Sequence, residues 1–558
     1  MGLVEAAEPA AARPLSDLAA RLHRAGRLRG IASGGAPGDA GTLPGGASHP
    51  GVAGVATGDA LAGVAVHGVA HDSRRVSPGA VFVAVPGAHV DGHAHAGDAV
   101  ARGAAAVVVE RPLDGISVPQ LVVDDSQRAL APAACWWYED PSLELAVVGV
   151  TGTDGKTSTS TLLVAALEAA GIRTGMSTTA LVRVGGIELP NPVHATTPEA
   201  PEVQRLLRAM VRAGDRCAVI ETTSHGLALE RVGGVAYDVA VFTNLTHEHL
   251  EFHGSFEAYR AAKLRLFERL AVSGENPLKG PGGATGPGAW PKTAVVNADD
   301  PSASQFLRAA EAAGARVVTY GEGRGVDVRA VRIEQDAAGL VADVDTPDGS
   351  RRMRLGLLGR FSVWNALAVL AVAEGVGLDL DAALAGVAAA SPVPGRMERV
   401  ERGQPFTVVV DFAHSPASLR LVLDELGPVA AAGGGGLIAV FGSAGERDAA
   451  KRPMMGRIAG ERCRAVILAD EDPRGEDSLA IIEAIAAGAE DAGLRRGASL
   501  LLEPDRRAAI ALAFRLARPG DVVVLAGKGH ETEIIGSHGA VPWNERAVAE
   551  EELDRLGA

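Results

Sequence analysis

The sequence predicts an α/β protein of three domains. A small α/β domain is expected at residues 67–143 and a central domain with a doubly wound, mostly parallel sheet at 144–391. A second open α/β sheet follows at 392–558. Three observations support this. The 558 residues exceed what one hydrophobic core serves, so about two to four domains are expected. From Val69 onward short β-branched runs alternate with helical patterns, the order of parallel βαβ units. After Val393 each β-run stops at polar residues, as strands of an open sheet do at their binding edge.

Composition narrows the function classes. Hydrophobic residues at 47% and charged residues at 22% describe an ordinary globular chain. A net charge of −15 argues against a nucleic-acid surface, which would be basic. Cys135, Cys217 and Cys463 are too scattered for a disulfide framework or a CxxC pair, which fits a reducing compartment. An uninterrupted apolar run of about 18 residues, the length of a membrane span, is absent. The first residues are acidic and lack the basic start of a signal peptide, so a cytoplasmic protein is expected.

Residues 1–66 read as a poorly ordered N-terminal region, apart from a possible short helix from Ser16 to Leu28, because Gly30 to Gly63 is mostly Gly, Ala and Pro. Asp72-Ser73-Arg74 then opens a polar turn, and the β-run Val81–Val85 stops at Pro86-Gly87. In the central domain the β-branched runs are Leu145–Val150, Cys217–Ile220, Val239–Phe242 and Thr293–Val296. Residues 273–291, rich in Gly and Pro, read as a surface insertion. The last domain reads as Rossmann-like. Its expected strands are Thr407–Val410, Leu437–Phe441, Ala465–Leu468 and Val522–Leu525, and its helices Ala417–Leu426, Met454–Gly460, Ser478–Ala487 and Arg506–Ala517.

The central domain is organised around Gly149-Val150-Thr151-Gly152-Thr153-Asp154-Gly155-Lys156-Thr157-Ser158. A β-run, a glycine turn and a helix from Thr157 make a phosphate cradle. Backbone N–H groups face the anion, Lys156 adds a point charge, and the Thr157 hydroxyl is suited to Mg²⁺. ATP is therefore the expected ligand. Glu221, at the end of the run Cys217–Ile220, is a second candidate Mg²⁺ ligand, since a hard cation takes oxygen donors. His249 and His253 are spaced i,i+4, but the zinc motif needs Glu directly after the first His, and Leu250 stands there.

These motifs, with Thr243-Asn244-Leu245, His249-Leu250, His253-Gly254 and Tyr259-x3-Lys263, resemble the central domain of the Mur ligases. Asp72-Ser73-Arg74, Asp91-Gly92-His93, Pro394-Gly395-Arg396-Met397-Glu398, Asp411-Phe412-Ala413-His414, Arg447-Asp448 and Gly527-Lys528-Gly529-His530-Glu531 extend the likeness to the N- and C-terminal domains. Among Mur ligases the set is similar to the members that add the third residue to the cell-wall peptide.

The resemblance implies an ATP- and Mg²⁺-dependent ligase, acting as a monomer on UDP-N-acetylmuramoyl-L-alanyl-D-glutamate. Gly152, Thr153, Asp154, Gly155, Lys156, Thr157 and Ser158 match the ATP cradle, with Asn365, Arg396, Asp411 and His414 holding the rest of the nucleotide. Thr157, Glu221 and His249 match metal ligands, and Lys263 matches a lysine carboxylated on its amine, which would be a further metal ligand. Lys156, Lys263, His249 and Glu221 are thus the implied catalytic set. His71 and Ser73 match the uridine end of the acceptor site, and Thr196, Thr197, Thr223 and Arg231 its muramoyl-peptide part. Arg447, Glu471, Asp472, Pro473, Arg474, Gly527 and Glu531 match contacts to the incoming amino acid. Arg474 suits the distal carboxylate of meso-diaminopimelate, whereas Asp472, where an amide is usual, would favour lysine or ornithine. Asp154 replaces the usual Asn of the cradle, and Glu248 the usual Asp before His249.

Overall fold

A computed structural model describes residues 7–9, 11–32, 61, 63–87, 90–191, 195–246, 248–272, 290–336 and 339–557. Two compact units divide them, one within 1–156, 167–318 and 372–378, the other within 157–166, 319–371 and 379–558.

The first unit opens with a five-stranded sheet in the order Leu28–Ala32, Gln120–Val123, Ala106–Val109, Ala80–Val83, Gly68–Ala70. All neighbours are parallel except the first pair. Val81, Val83, Val108 and Leu121 pack on the helices Leu15–Arg24 and Ser126–Tyr138, while Phe82, Val107, Val109 and Val122 pack on Ala96 and Ala99. Covered on both faces, the central strands Ala80–Val83 and Ala106–Val109 are apolar at every position. The expected disorder of 1–66 does not hold for residues 13–32: Leu15, Leu18, Leu22, Leu28 and Ile31 are buried in this core. The Gly- and Pro-rich composition that suggested disorder belongs chiefly to 33–60, which lies outside the described residues, as does 273–289.

The same unit carries strands in the order Ile187–Pro190, Leu181–Val184, Thr174–Ser177, Cys217–Glu221, Ala146–Thr151, Val239–Phe242, Thr293–Asn297. From Thr174–Ser177 onward they run parallel. Gly149 lies where a Cβ would come 2.7 Å from the Tyr237 ring. The strand Arg316–Gly321 leads into the second unit, where an antiparallel meander follows: Val328–Asp336, Gly339–Thr346, Gly349–Leu355.

The second unit's main sheet is ordered Glu398–Val400, Thr407–Asp411, Val522–Ala526, Leu437–Phe441, Cys463–Leu468, Leu500–Leu502, parallel apart from the first strand. The helix starting at Pro416 runs to Ala432, past the expected end at Leu426, with Pro428 inside it. The three cysteines are buried and form no disulfide. Among the described residues no helix is long and apolar enough to cross a membrane.

Candidate active site

The strand Ala146–Thr151 enters the turn 152–155, and the helix Lys156–Ala169 leaves it. Gly152 has φ 150°, and a Cβ there would fall 1.9 Å from Thr243 Oγ1, so only glycine fits. The segment after Phe242 braces the turn. Thr153 N donates to Asn244 O at 2.8 Å, Asp154 N to Asn244 Oδ1 at 2.9 Å, and Thr243 Oγ1 to Asp154 O at 2.6 Å. Asp154 is itself exposed, and these bonds hold its backbone. Lys156 Nζ donates to Thr153 O at 2.7 Å. In the second unit, Thr159 on the helix donates to Asn365 Oδ1 at 3.3 Å, and Asn365 Nδ2 is buried without a hydrogen-bond partner.

Lys263 lies on the helix Phe256–Val272 and is 2% exposed. Its Nζ donates to Gly152 O at 2.6 Å and lies 4.5 Å from the centroid of the Tyr259 ring. Burial, reinforced by the positive charge of Lys156, holds this amine well below the ordinary lysine range. The Tyr259 hydroxyl meets Thr153 Oγ1 at 3.1 Å, and burial raises its phenol. The sequence reading gave Tyr259 no role, although its i,i+4 spacing to Lys263 puts both on one helical face.

Glu221 is buried at the tip of its strand. Thr179 N donates to its Oε2 at 3.0 Å, and Thr179 Oγ1 donates to Thr196 Oγ1 at 2.8 Å. Thr197 Oγ1 donates to Glu221 O at 3.0 Å and lies 3.0 Å from Thr223 Oγ1. Arg231 donates to Thr197 O at 3.1 Å and pairs with Glu199 at 2.7 Å. One network thus joins Glu221, Thr196, Thr197, Thr223 and Arg231. Its further members Thr179 and Glu199 were not anticipated; the position of Thr179, two residues past a parallel strand, was the available signal. Arg75 pairs with Glu202 at 3.0 Å, setting the His71–Ser73 turn against the helix that follows Thr197. Within that turn, hydrogen bonds from Arg74 hold the Asp72 carboxyl at about 2. His93 is buried, with Nδ1 2.6 Å from Asp91 Oδ1 and Nε2 accepting from Glu110 N at 2.9 Å, so it holds the fold together.

His249 has φ 55°, and its ring lies 4.9 Å from that of His225 and 6.2 Å from that of Tyr259. His253 packs on Phe252 and Tyr259. Among the described residues no group of three or more His, Cys, Asp or Glu could hold a metal by itself. A Mg²⁺ site still fits, because that ion takes one or two carboxylates and completes its shell with water and substrate phosphate. Glu221 offers such a carboxylate.

In the second unit Arg396 lies over the Phe412 ring at 4.8 Å. Both oxygens of Asp411 accept backbone N–H groups, from Met397 and Ala413, each at 2.8 Å, while burial raises its carboxyl. Asp411 therefore shapes the loop that presents Arg396. Exposed His414 is fixed through its carbonyl, which accepts from Lys451 Nζ at 2.7 Å. Past the neighbouring strand tips, Glu471 is buried with Oε2 lacking a hydrogen-bond partner, and burial raises its carboxyl. Gly527 has φ 105°, and a Cβ there would lie 2.8 Å from that same oxygen. Asp472 Oδ1 accepts from Lys528 Nζ at 2.8 Å and from Ile535 N at 2.9 Å; Lys528 also meets Glu531 at 2.7 Å. Gly445 N donates to Asp472 O at 2.8 Å, bringing the loop of exposed Arg447 alongside. Arg474, at φ 53°, donates its N–H to Ile535 O at 2.9 Å.

Buried Arg506 was read only as a helix start. It donates to Asp470 O at 3.0 Å and to Ala526 O at 2.8 Å, and pairs with buried Glu545 at 2.7 Å. It thereby ties together the two strand tips that lead to Glu471 and Gly527.

Comparison with known proteins shows the family. Family models match residues 65–135 (Mur ligase family, catalytic domain), 150–373 (Mur ligase middle domain) and 395–529 (Mur ligase, glutamate ligase domain). The chain is 50% identical over 496 residues to the UDP-N-acetylmuramyl-tripeptide synthetase of Roseiflexus sp. (strain RS-1), covering 88% of this chain and 95% of that one. It is 40% identical over 486 residues to the UDP-N-acetylmuramoyl-L-alanyl-D-glutamate–2,6-diaminopimelate ligase of Geobacillus kaustophilus (strain HTA426), covering 87% and 94%. A solved structure of a ligase of the latter name superposes with a TM-score of 0.63 at 30% identity, covering 89% of this chain and 96% of that one. A phosphate cradle braced by Lys263 and the 243–246 segment, in a chain matched by these models along most of its length, identifies it as a member of the Mur ligase family and an ATP-dependent ligase.

Proposed function

We propose that the chain joins meso-diaminopimelate to the terminal carboxylate of UDP-N-acetylmuramoyl-L-alanyl-D-glutamate in cytoplasmic peptidoglycan synthesis, acting as a monomer. The observation that carries this reading is the buried Lys263 amine hydrogen-bonded to the carbonyl of Gly152 inside the phosphate cradle. The names of relatives such as the Geobacillus ligase support the choice of substrates.

In this reading the acceptor carboxylate attacks the γ-phosphorus of ATP. The bond to the bridging oxygen breaks, leaving ADP and an acyl phosphate. The incoming amine attacks the acyl carbon, the tetrahedral adduct expels inorganic phosphate, and the amine proton is released. The chain's work is positioning and charge neutralisation. Lys156 and the N–H groups of 152–158 hold the outer phosphates. Asn365, Arg396, Asp411 and His414 secure the rest of the nucleotide. His71 and Ser73 take the uridine end of the acceptor, and Thr196, Thr197, Thr223 and Arg231 its peptide. Arg447, Arg474 and Glu531 hold the incoming amino acid, with Glu471 and Gly527 bounding its pocket.

Lys263, held toward its neutral form, is a nucleophile for CO₂: its nitrogen bonds to the carbon, a proton leaves, and an anionic carbamate replaces a cation. Glu221, His249, Thr157 and that carbamate are the residues to hold Mg²⁺, which when bound neutralises charge on the phosphate oxygens.

ADP release measured with the UDP-dipeptide and each of diaminopimelate, L-lysine and L-ornithine tests the proposal. The highest kcat/KM is expected with diaminopimelate; turnover with lysine or ornithine alone overturns that choice.

A further inference from the structure

We propose that Lys528 is a positioning residue for acceptor choice: it cancels the charge of Asp472, so the pocket treats this carboxylate as a neutral hydrogen-bonding group. The inference deepens the diaminopimelate reading above and rests on it. A free carboxylate beside an amino-acid pocket attracts a side-chain ammonium and repels a second carboxylate. Asp472 is not free. Its side chain is 8% exposed, and its Oδ1 accepts from the Lys528 ammonium at 2.8 Å and from Ile535 N at 2.9 Å.

Lys528 is completely buried and also meets Glu531 Oε2 at 2.7 Å, but the Glu531 side chain is 38% exposed and solvated, so the buried partner that depends on this cation is Asp472. The bond from Ile535 N is one that an amide oxygen could equally accept, and Ile535 O in turn holds the backbone N–H of Arg474. Asp472 and Lys528 together thus do the work of a neutral residue that anchors the Arg474 loop. This leaves the Arg474 guanidinium as the group that reads the distal carboxylate.

Wild type, Lys528→Met and the doubly neutral Lys528→Met/Asp472→Asn are compared by ADP release with the UDP-dipeptide and either diaminopimelate or L-lysine. In Lys528→Met the unpaired Asp472 is expected to lower the diaminopimelate-to-lysine ratio of kcat/KM by about tenfold or more, through a raised KM for diaminopimelate and not through kcat. The double variant is expected to return to within about threefold of the wild-type ratio. A single variant that keeps the wild-type ratio, or a double variant that prefers lysine as strongly as the single, overturns the proposal. If Lys528→Met does not fold, the double variant decides alone: a retained ratio supports the neutral pair and a tenfold fall refutes it, on the order of effect expected of a lost charge partner. Should wild type turn over lysine and not diaminopimelate, the substrate reading fails by itself. The pair then stands if Lys528→Met lowers the KM for lysine, and falls if that KM is unchanged.

Discussion

Lys263 and Lys528 are both buried, at 2% and 0% exposure, yet their ammonium groups face different company. Lys528 sits between the carboxylates of Asp472 and Glu531, at 2.8 and 2.7 Å. Lys263 bonds a backbone carbonyl and lies on an aromatic ring, with the positive charge of Lys156 acting on it. A buried cation held by two acids ties the surrounding loops, because removing one partner strands the other. A buried amine without such partners is pushed toward its neutral form, and a neutral amine is reactive. The same residue type is thus a tether in one unit and, on the proposed function, a chemical group in the other.

The two lysines should separate when activity and stability are measured together. Lys263→Ala is expected to lower kcat by about a thousandfold, an effect of the size seen when transition-state charge stabilisation is removed. Added acetate or another small carboxylate is expected to restore part of it, and full activity in the plain variant would remove the role assigned to Lys263. Lys528→Met should act oppositely, lowering stability by about 3 kcal/mol, read as an earlier midpoint in chemical denaturation. A pH titration of stability sharpens the same contrast on a third, half-buried base. Burial and the charge of Arg396 hold His530 down from 6.5 to about 4. The unfolded chain therefore takes up its proton first as pH falls, so stability is lost between pH 6.5 and about 4, by roughly 3 kcal/mol, and His530→Gln should flatten that part of the curve. The smallest effect is expected for Lys263→Met in the same denaturation: a change within about 1 kcal/mol, because an apolar side chain replaces a desolvated amine.

Much of the phosphate cradle could be read from the chain because its parts are contiguous: a β-run, glycines whose φ only glycine adopts, and a lysine at the start of a helix. The parallel strands were legible for a related reason, since burial on both faces leaves runs such as Val147–Val150 and Val522–Leu525 apolar throughout. The meander 328–355 was not. Its strands carry charged residues on an open face, among them Arg332 and Glu334, so they lack the continuous apolar runs by which the doubly covered strands are read. Nor could the partners of Glu221 and Asp472 be read off. Thr179 reaches Glu221 from just past the neighbouring strand, and Lys528 reaches Asp472 across 56 positions of sequence, contacts that only sheet order creates. The helix Leu15–Arg24 was half seen, its apolar spacing overshadowed by the glycine-rich tract that follows.

Arg506 grips the carbonyls of Asp470 and Ala526 with one side of its guanidinium fork and Glu545 with the other. Glu545 is the first residue of the terminal helix Glu545–Gly557. On the proposed function, cutting this helix back past Glu545, or fusing a partner that pulls on it, should therefore loosen the recognition of the incoming amino acid before it disturbs ATP handling. A fusion tag placed there would register as a change in substrate preference.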